Sequence, residues 1–99
     1  MKGLSAAIAA VVVLAAVCEA VPQPPVDVGK AAYAKHCESC HGAEGRGATA
    51  QALVPFTLEL SELVAIVRQG IGVMPGIPRD RISDAEISAI RQYLIHLED

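Results

Sequence analysis

The stretch Cys37-Glu38-Ser39-Cys40-His41 decides how this chain of 99 residues folds and what it binds. Two thiols lie three positions apart, and an imidazole follows the second thiol directly. The Cys-x-x-Cys-His order is typical of the attachment site of a c-type haem. We therefore predict that Cys37 and Cys40 bind the two vinyl groups of one porphyrin, and that His41 is the proximal ligand of its iron.

The two cysteines have two other interpretations, a redox disulfide and a zinc site. A thioredoxin-type Cys-x-x-Cys belongs near a βαβ pattern, and this sequence shows no alternating strand pattern. A structural zinc site needs four protein ligands, and no second Cys-x-x-Cys or His pair stands at suitable spacing. Haem attachment is the favoured interpretation, and a thiol–disulfide enzyme remains the weakest alternative.

The first 20 residues have the three-part layout of a secretory signal peptide. A basic start at Lys2 precedes an almost purely apolar run over residues 6–17, and Ala20 offers a small residue for cleavage. The run is shorter than the roughly 20 residues that a membrane span needs. We expect residues 1–20 to direct export to the periplasm and to be removed there.

Two alternatives to cleavage would keep the protein at a membrane. The apolar segment could stay as an anchor, or Cys18 could be lipidated. The sequence before Cys18 is a poor lipobox, because Val17 stands where a small residue is expected. After cleavage, residues 21–25 form a proline-rich linker and residues 26–99 form the haem-binding domain.

The size and charge of the mature chain limit what it can do. A chain of about 80 residues rarely stabilises itself by apolar burial alone, so a covalently bound haem would supply the missing core. The formal net charge of the whole chain is −3. No basic block or interleaving of basic and aromatic residues is present, so the sequence gives no support for nucleic-acid binding.

Three helices account for the regular pattern of the mature chain. The first is predicted from Asp27, as N-cap, to about His36, and the second over residues 61–69, closed by Gly70. Ser83 and Glu86 form a capping box that predicts the start of the last helix. The fold class is all-α, with three to four helices around one haem. The last helix should bury Ile87, Ile90, Leu94 and Leu97.

Met74 is the candidate for the second axial ligand of the iron. It is the only methionine after the initiator, and it lies in the loop Gly70-Ile71-Gly72-Val73-Met74-Pro75. A core methionine usually lies on a helix stripe, whereas helix breakers flank this one. Pro75 should stiffen the loop around the thioether. The other histidines, His36 and His96, are predicted to be surface residues.

From residue 26 to residue 98 the chain resembles a mono-haem class I cytochrome c. Gly29 and Tyr33 match the family's glycine and aromatic on the first helix, and Ile90 and Tyr93 match the positions where the last helix crosses it. Pro55 resembles the proline whose carbonyl region accepts a hydrogen bond from the proximal histidine. Further matches to the family's C-terminal pattern are Leu63, Ile66, Gly70, Met74, Pro75, Ser83, Asp84, Glu86 and Leu94.

The resemblance implies a small cytochrome c fold whose haem is walled by aliphatic side chains, since the chain has no Trp and one Phe. An apolar wall would keep water from the iron. The candidates for this wall are Val54, Phe56, Leu58, Ile66, Val67, Ile71, Ile77 and Ile82.

The predicted function is electron transfer, with iron cycling between its ferric and ferrous forms. Because both axial positions would be filled, no site is left for a substrate, and we expect no enzymatic activity from the chain alone. The expected partners are redox proteins, such as a dehydrogenase, an oxidase or another cytochrome. The alternative is a haem-based sensor or ligand-binding protein in which Met74 leaves the iron.

Overall fold

A computed structural model describes residues 25–98, so the predicted signal peptide, Cys18 and most of the linker lie outside the described residues. Among these residues the regular structure is helical, which confirms the all-α prediction, and Ile71 and Met74 form one isolated β-bridge. Within the same range, no helix combines the length and the apolarity required to cross a membrane. The helices are α1 (Val26–His36), α2 (Glu38–His41), a 3₁₀ turn (Ala43–Gly45), α3 (Leu60–Gln69) and α4 (Asp84–His96).

Helix α1 begins one residue earlier than predicted. Pro25 occupies the N-cap position, and its carbonyl oxygen accepts hydrogen bonds from the backbone N–H groups of Val28 and Gly29 at 3.1 and 3.3 Å. The prediction that Asp27 is the N-cap is therefore wrong. Asp27 lies in the first turn of α1 instead, where a carboxylate interacts favourably with the helix dipole.

The crossing of α1 and α4 forms the centre of the fold. A Cβ atom built on Gly29 would collide with the carbonyl oxygen of Ala89 and would lie 2.9 Å from the Cβ of Tyr93. Only glycine permits so close an approach of the two backbones. The rings of Tyr33 and Tyr93 pack beside this contact, with centroids 5.5 Å apart and planes tilted by 43°. The predicted crossing is confirmed.

Helix α4 begins with the predicted capping box. The backbone N–H of Glu86 donates to Ser83 Oγ at 3.0 Å, and the backbone N–H of Ser83 donates to the Glu86 carboxylate at 3.1 Å. These two bonds satisfy donors that the first turn of a helix leaves free. The predicted buried face is also confirmed, with Ile87, Ile90 and Leu94 buried and Leu97 half-buried against the core.

Helix α3 begins at Leu60, one residue before the predicted start. The reason is a second capping contact, in which the backbone N–H of Glu59 donates to the Glu62 carboxylate at 3.2 Å. The helix ends at Gly70 as predicted, where the backbone turns to a φ of +74°. Within α3, Leu63 and Val67 are buried and Ile66 is half-buried, so one face of the helix packs on the core.

Helix α4 connects the other elements, because it packs against both α1 and α3. It also holds the segment that precedes α3. The guanidinium of Arg91 donates to the Leu58 carbonyl oxygen at 3.0 Å, and the backbone N–H of Phe56 donates to the Glu98 carboxylate at 2.6 Å. The loops that lead into and out of α3 are thus positioned relative to α1 through α4.

Candidate functional site

The predicted attachment residues lie on one helical turn, which we call the motif turn (residues 37–41). The backbone N–H groups of Cys40 and His41 donate to the carbonyl oxygen of Cys37 at 3.3 and 2.9 Å. Side chains three and four positions apart on a helix share one face. The structure therefore brings Cys37, Cys40 and His41 together on the same side of this turn.

The chain after the motif turn folds back and binds its free carbonyl groups. The backbone N–H of Gly47 donates to the His41 carbonyl oxygen at 2.6 Å, and that of Ala50 donates to the Cys40 carbonyl oxygen at 2.8 Å. Gly42 allows this reversal because its φ is +81°. The last carbonyl groups of a helix need such partners, so the loop fixes the end of the motif turn.

The imidazole of His41 is held in one tautomer. Its Nδ1 atom lies 2.9 Å from the carbonyl oxygen of Gln51. A carbonyl oxygen can only accept a hydrogen bond, so Nδ1 carries a proton, and in the neutral imidazole Nε2 then keeps its lone pair. A metal-binding histidine needs this arrangement, in which the second nitrogen is free for the metal. Sequence comparison pointed to the region of Pro55 as the acceptor, and the structure corrects this to Gln51.

The two thiols have different surroundings. Cys37 is half-buried and packs against the hydrophobic core, whereas Cys40 is exposed. Burial raises the pKa of the Cys37 thiol to about 11, because the thiolate would lose its solvation. The first cysteine of a catalytic Cys-x-x-Cys is the attacking thiol and shows the opposite shift, since the thiolate is the reactive form. The pKa of Cys37 therefore disfavours the thiol–disulfide enzyme interpretation.

Met74 closes a tight turn, which we call the Met74 turn (residues 71–74). The backbone groups of Ile71 and Met74 exchange two hydrogen bonds, of 3.1 and 2.9 Å. Gly72, at φ +58°, makes the reversal possible. Met74 is half-buried, while Val73 at the tip is fully exposed. The turn leaves the end of α3, so Met74 comes from a different part of the fold than the motif turn.

Most residues of the predicted apolar wall are buried or half-buried among the described residues. The exception is Ile71, which is 63% exposed. Phe56, Val67 and Ile82 are buried, and Val54, Leu58, Ile66 and Ile77 are half-buried.

A cavity of about 240 Å³ opens next to the residue that binds His41. A larger cleft, of about 490 Å³, lies by the ends of α1 and α4, but charged side chains such as Asp27, Lys30 and Glu38 line it. The smaller cavity suits the apolar face of a porphyrin better, because most of its lining is apolar. It is lined by Gln51, Ala52, Leu53, Pro55, Phe56, Thr57, Leu58 and Ile66.

The two other histidines differ from each other. His96 is exposed, as predicted. His36 is half-buried, and its Nε2 atom is excluded from solvent and has no hydrogen-bond partner among the described residues. The prediction that His36 lies on the surface is therefore wrong. It sits in the last turn of α1, where the chain passes inward to Cys37.

Three contacts of the site were not predicted from the sequence. The Gln51 acceptor is a backbone carbonyl, so no side-chain pattern marks it. The hydroxyl of Tyr33 donates to the Gly42 carbonyl oxygen at 2.6 Å, and burial raises the pKa of Tyr33 to about 12. Arg68 binds the carbonyl oxygen of Ile77, which follows Met74. Its position next to Val67, which is buried, was the one sequence feature that could have indicated this contact.

The donor set fits a porphyrin better than a bare metal ion. Two thiols and an imidazole with a free Nε2 share one face of a turn, and an apolar cavity adjoins the Gln51 acceptor. Across residues 25–98, no three His, Cys, Asp or Glu side chains come together in a group that could hold a metal ion. The cysteines and His41 would hold a haem, and Met74 is the available sulfur ligand.

Comparison with protein families agrees with this chemistry. A family model described as cytochrome c oxidase, cbb3-type, subunit III matches residues 24–94. The matched range contains the motif turn, the Met74 turn and most of α4. No curated protein matches the chain.

Proposed function

This chain belongs to the family of mono-haem class I cytochromes c, and from that premise we propose that it transfers electrons through one haem c. Cys37 and Cys40 attach the haem as thioethers, and His41 and Met74 are the axial ligands of its iron. When bound, the haem supplies the one-electron ferric–ferrous couple. The polypeptide attaches and orients the group, and its apolar side chains exclude water.

The hydrogen bond between His41 Nδ1 and the Gln51 carbonyl oxygen carries this proposal. It occupies Nδ1 and leaves Nε2 as the nitrogen available to a metal, on a side chain that shares one face of the motif turn with the two thiols. The bond also limits rotation of the imidazole, so the ligand is oriented before any metal binds. Such contacts behind a ligand raise its basicity and strengthen its bond to the metal.

The position of Met74 supports its role as the second ligand. The Met74 turn fixes its backbone by two hydrogen bonds, and the side chain is half-buried rather than exposed. A thioether is a soft ligand that favours ferrous iron, so the His/Met pair raises the reduction potential. With both axial positions filled, the protein acts as a carrier and not as an enzyme.

The proposed partners are redox proteins of the exported compartment. The matching family model describes an oxidase subunit, which is one setting for such a domain, and a free carrier between a dehydrogenase and an oxidase is the other. We propose a periplasmic location, with residues 1–20 as the export signal. An uncleaved segment or a lipid on Cys18 would place the same domain at the membrane.

Visible spectroscopy of the protein tests this proposal, after expression in a host that matures c-type cytochromes. We expect a low-spin ferric spectrum with the weak long-wavelength band of methionine–iron ligation. Met74→Ala should lose this band and should bind carbon monoxide rapidly when reduced, whereas the wild type should not. Rapid binding by the wild type would instead indicate the ligand-binding function, and protein without haem would exclude both.

A further inference from the structure

Arg68 makes the most extensive set of side-chain contacts near the Met74 turn. Its side chain is 13% exposed. One terminal nitrogen, Nη1, donates to the carbonyl oxygens of Ile82 at 2.8 Å and Ile77 at 3.1 Å. The other, Nη2, donates to Asp84 Oδ1 at 2.5 Å. One guanidinium thus binds two backbone carbonyls and one carboxylate.

The acceptors of Arg68 belong to segments that are separate in the chain. Ile77 follows the Met74 turn by three residues, while Ile82 and Asp84 lead into and begin α4. Helix α4 packs on α1, and α1 runs directly into the motif turn. The side chain therefore links the chain around Met74 to the helix that positions the motif turn.

The backbone around Met74 is closed onto the same end of α3, and we call this segment the Met74 loop (residues 70–77). The backbone N–H of Ile77 donates to the Val67 carbonyl oxygen at 2.7 Å. A Cβ atom on Gly70 would lie 2.5 Å from the Met74 carbonyl oxygen, and one on Gly76 would collide with the carbonyl oxygen of Arg68. Both ends of the loop thus contact the last turn of α3. The Arg68 side chain binds the carbonyl oxygen of Ile77, the last residue of the loop.

We propose that Arg68 is a positioning residue that holds the Met74 loop closed and thereby keeps Met74 on the haem iron. This role rests on the proposed function, in which Met74 is a ligand. Arg68 does not touch the sulfur. It acts through the backbone of Ile77 and through the start of α4, which together limit how far the loop can open.

Loss of the guanidinium should loosen the Met74 loop without unfolding the domain. The centre of the fold is the crossing at Gly29, Tyr33 and Tyr93, and Arg68 takes no part in it. Local opening of a loop needs less free energy than global unfolding, and the difference depends on the contacts that the loop makes. Removing this charged donor takes a hydrogen bond from the carbonyl groups of Ile77 and Ile82, whereas Asp84 keeps its bond from Arg79.

Binding of exogenous imidazole to the ferric protein measures this opening, because imidazole must displace Met74. Arg68→Met keeps most of the chain length but has no donors, and we expect imidazole affinity to rise by about tenfold or more. Arg68→Lys keeps the positive charge but lacks the planar guanidinium that binds several acceptors at once. Its imidazole affinity should therefore lie between those of the wild type and Arg68→Met. Helical circular dichroism should stay unchanged in both variants.

Arg91→Met is the matched control. Arg91 is also partly buried and also donates to a loop carbonyl, at Leu58, but that loop precedes α3. We expect this variant to lose stability in urea while its imidazole affinity stays within about twofold of the wild type. An equal gain of affinity in Arg68→Met and Arg91→Met would show a general loss of stability and would overturn the positioning role.

Amide hydrogen exchange separates failure of this inference from failure of the proposed function. In Arg68→Met the amides of Met74 and Ile77 should exchange about tenfold faster or more, whereas amides of the α1–α4 crossing should not change. Unchanged exchange at both loop amides would overturn the role of Arg68, whatever the iron ligand is. The two measurements can also disagree. If the loop amides exchange faster in Arg68→Met but the wild type lacks the methionine–iron band, Arg68 holds the loop closed, but Met74 is not an iron ligand. That result would overturn Met74 ligation and the role of Arg68 in it.

Discussion

The motif turn and the Met74 loop are held in different ways. The motif turn is closed by backbone hydrogen bonds from the residues that follow it, such as Gly47 and Ala50. The Met74 loop is closed partly by its own backbone, but it also depends on a side chain of α3 that reaches the start of α4. Backbone hydrogen bonds thus set the His41 side of the site, and a side chain that reaches the start of another helix helps to set the Met74 side.

The largest expected effect is the difference between replacing His41 and replacing Met74. His41→Ala should nearly abolish recovery of protein with haem, because the proximal ligand and its oriented tautomer are lost. Met74→Ala should keep the covalent haem and lower the reduction potential by on the order of 0.1 V, since axial ligands set that potential. Haem stain after denaturing electrophoresis and redox titration measure both effects. Equal recovery of haem protein from the two variants would contradict the comparison.

A second prediction concerns the α1–α4 crossing, which supports both sides. Gly29→Ala places a methyl group against the Ala89 backbone and should destabilise the protein by about 3 kcal/mol, near the upper end of overpacking effects. Urea unfolding followed by circular dichroism measures this. Lys30→Ala, at the neighbouring exposed position, is the control and should change stability little. A tolerated Gly29→Ala would mean that the two helices do not approach as closely as described.

A third prediction tests how much the capping box at Ser83 stabilises α4, at the helix end that Arg68 binds. Ser83→Ala removes the side-chain acceptor for the Glu86 N–H and should cost about 1 kcal/mol in the free energy of unfolding. Ser61→Ala is the control, because Ser61 is exposed within α3 and is not its N-cap. If both substitutions have the same effect, the capping box does not stabilise α4.

The smallest effect is a pH dependence at the same helix end. Hydrogen bonds from Arg68 and Arg79 lower the pKa of Asp84 below its ordinary value of 3.8. The unfolded chain binds this proton more tightly, so the stabilisation is present at neutral pH and is lost as pH falls below 3.8 through the folded-state pKa. Asp84→Asn should therefore have a lower melting temperature than the wild type at pH 7, and the difference between the two melting temperatures should shrink in acid.

Thermal melts of the two proteins between pH 7 and pH 3 measure that gap. Asp80→Asn is the matched control, since Asp80 forms no ion pair with any other residue in the range 25–98. The difference in melting temperature between this control and the wild type should stay the same at every pH in this range. A gap that stays constant for Asp84→Asn would show that its carboxylate gains nothing from the two arginines.

The same contrast explains what could be predicted from the sequence. The capping box at Ser83 and the glycine at the α1–α4 crossing depend on residue types at short spacing or at matching helix positions, and the structure confirms them. The attachment residues were also recognised by their spacing, and the structure brings them onto one turn. The choice of Gln51 as the acceptor for His41 depends on how the backbone returns after Gly47, which no side chain encodes.

The contacts around Met74 were harder to predict because they depend on one side chain whose acceptors are mostly backbone atoms. Arg68 binds the carbonyl groups of Ile77 and Ile82, and any residue could supply such acceptors. His36 is buried in part because α1 ends against the core.

Intact mass of the purified protein under denaturing conditions tests the central claim most directly. The account predicts a chain that lacks residues 1–20 and carries one covalently bound haem, and it predicts loss of that haem when Cys37 and Cys40 are both replaced by alanine. A folded, helical protein with the mass of the bare polypeptide, obtained from a host that matures cytochromes, would contradict it.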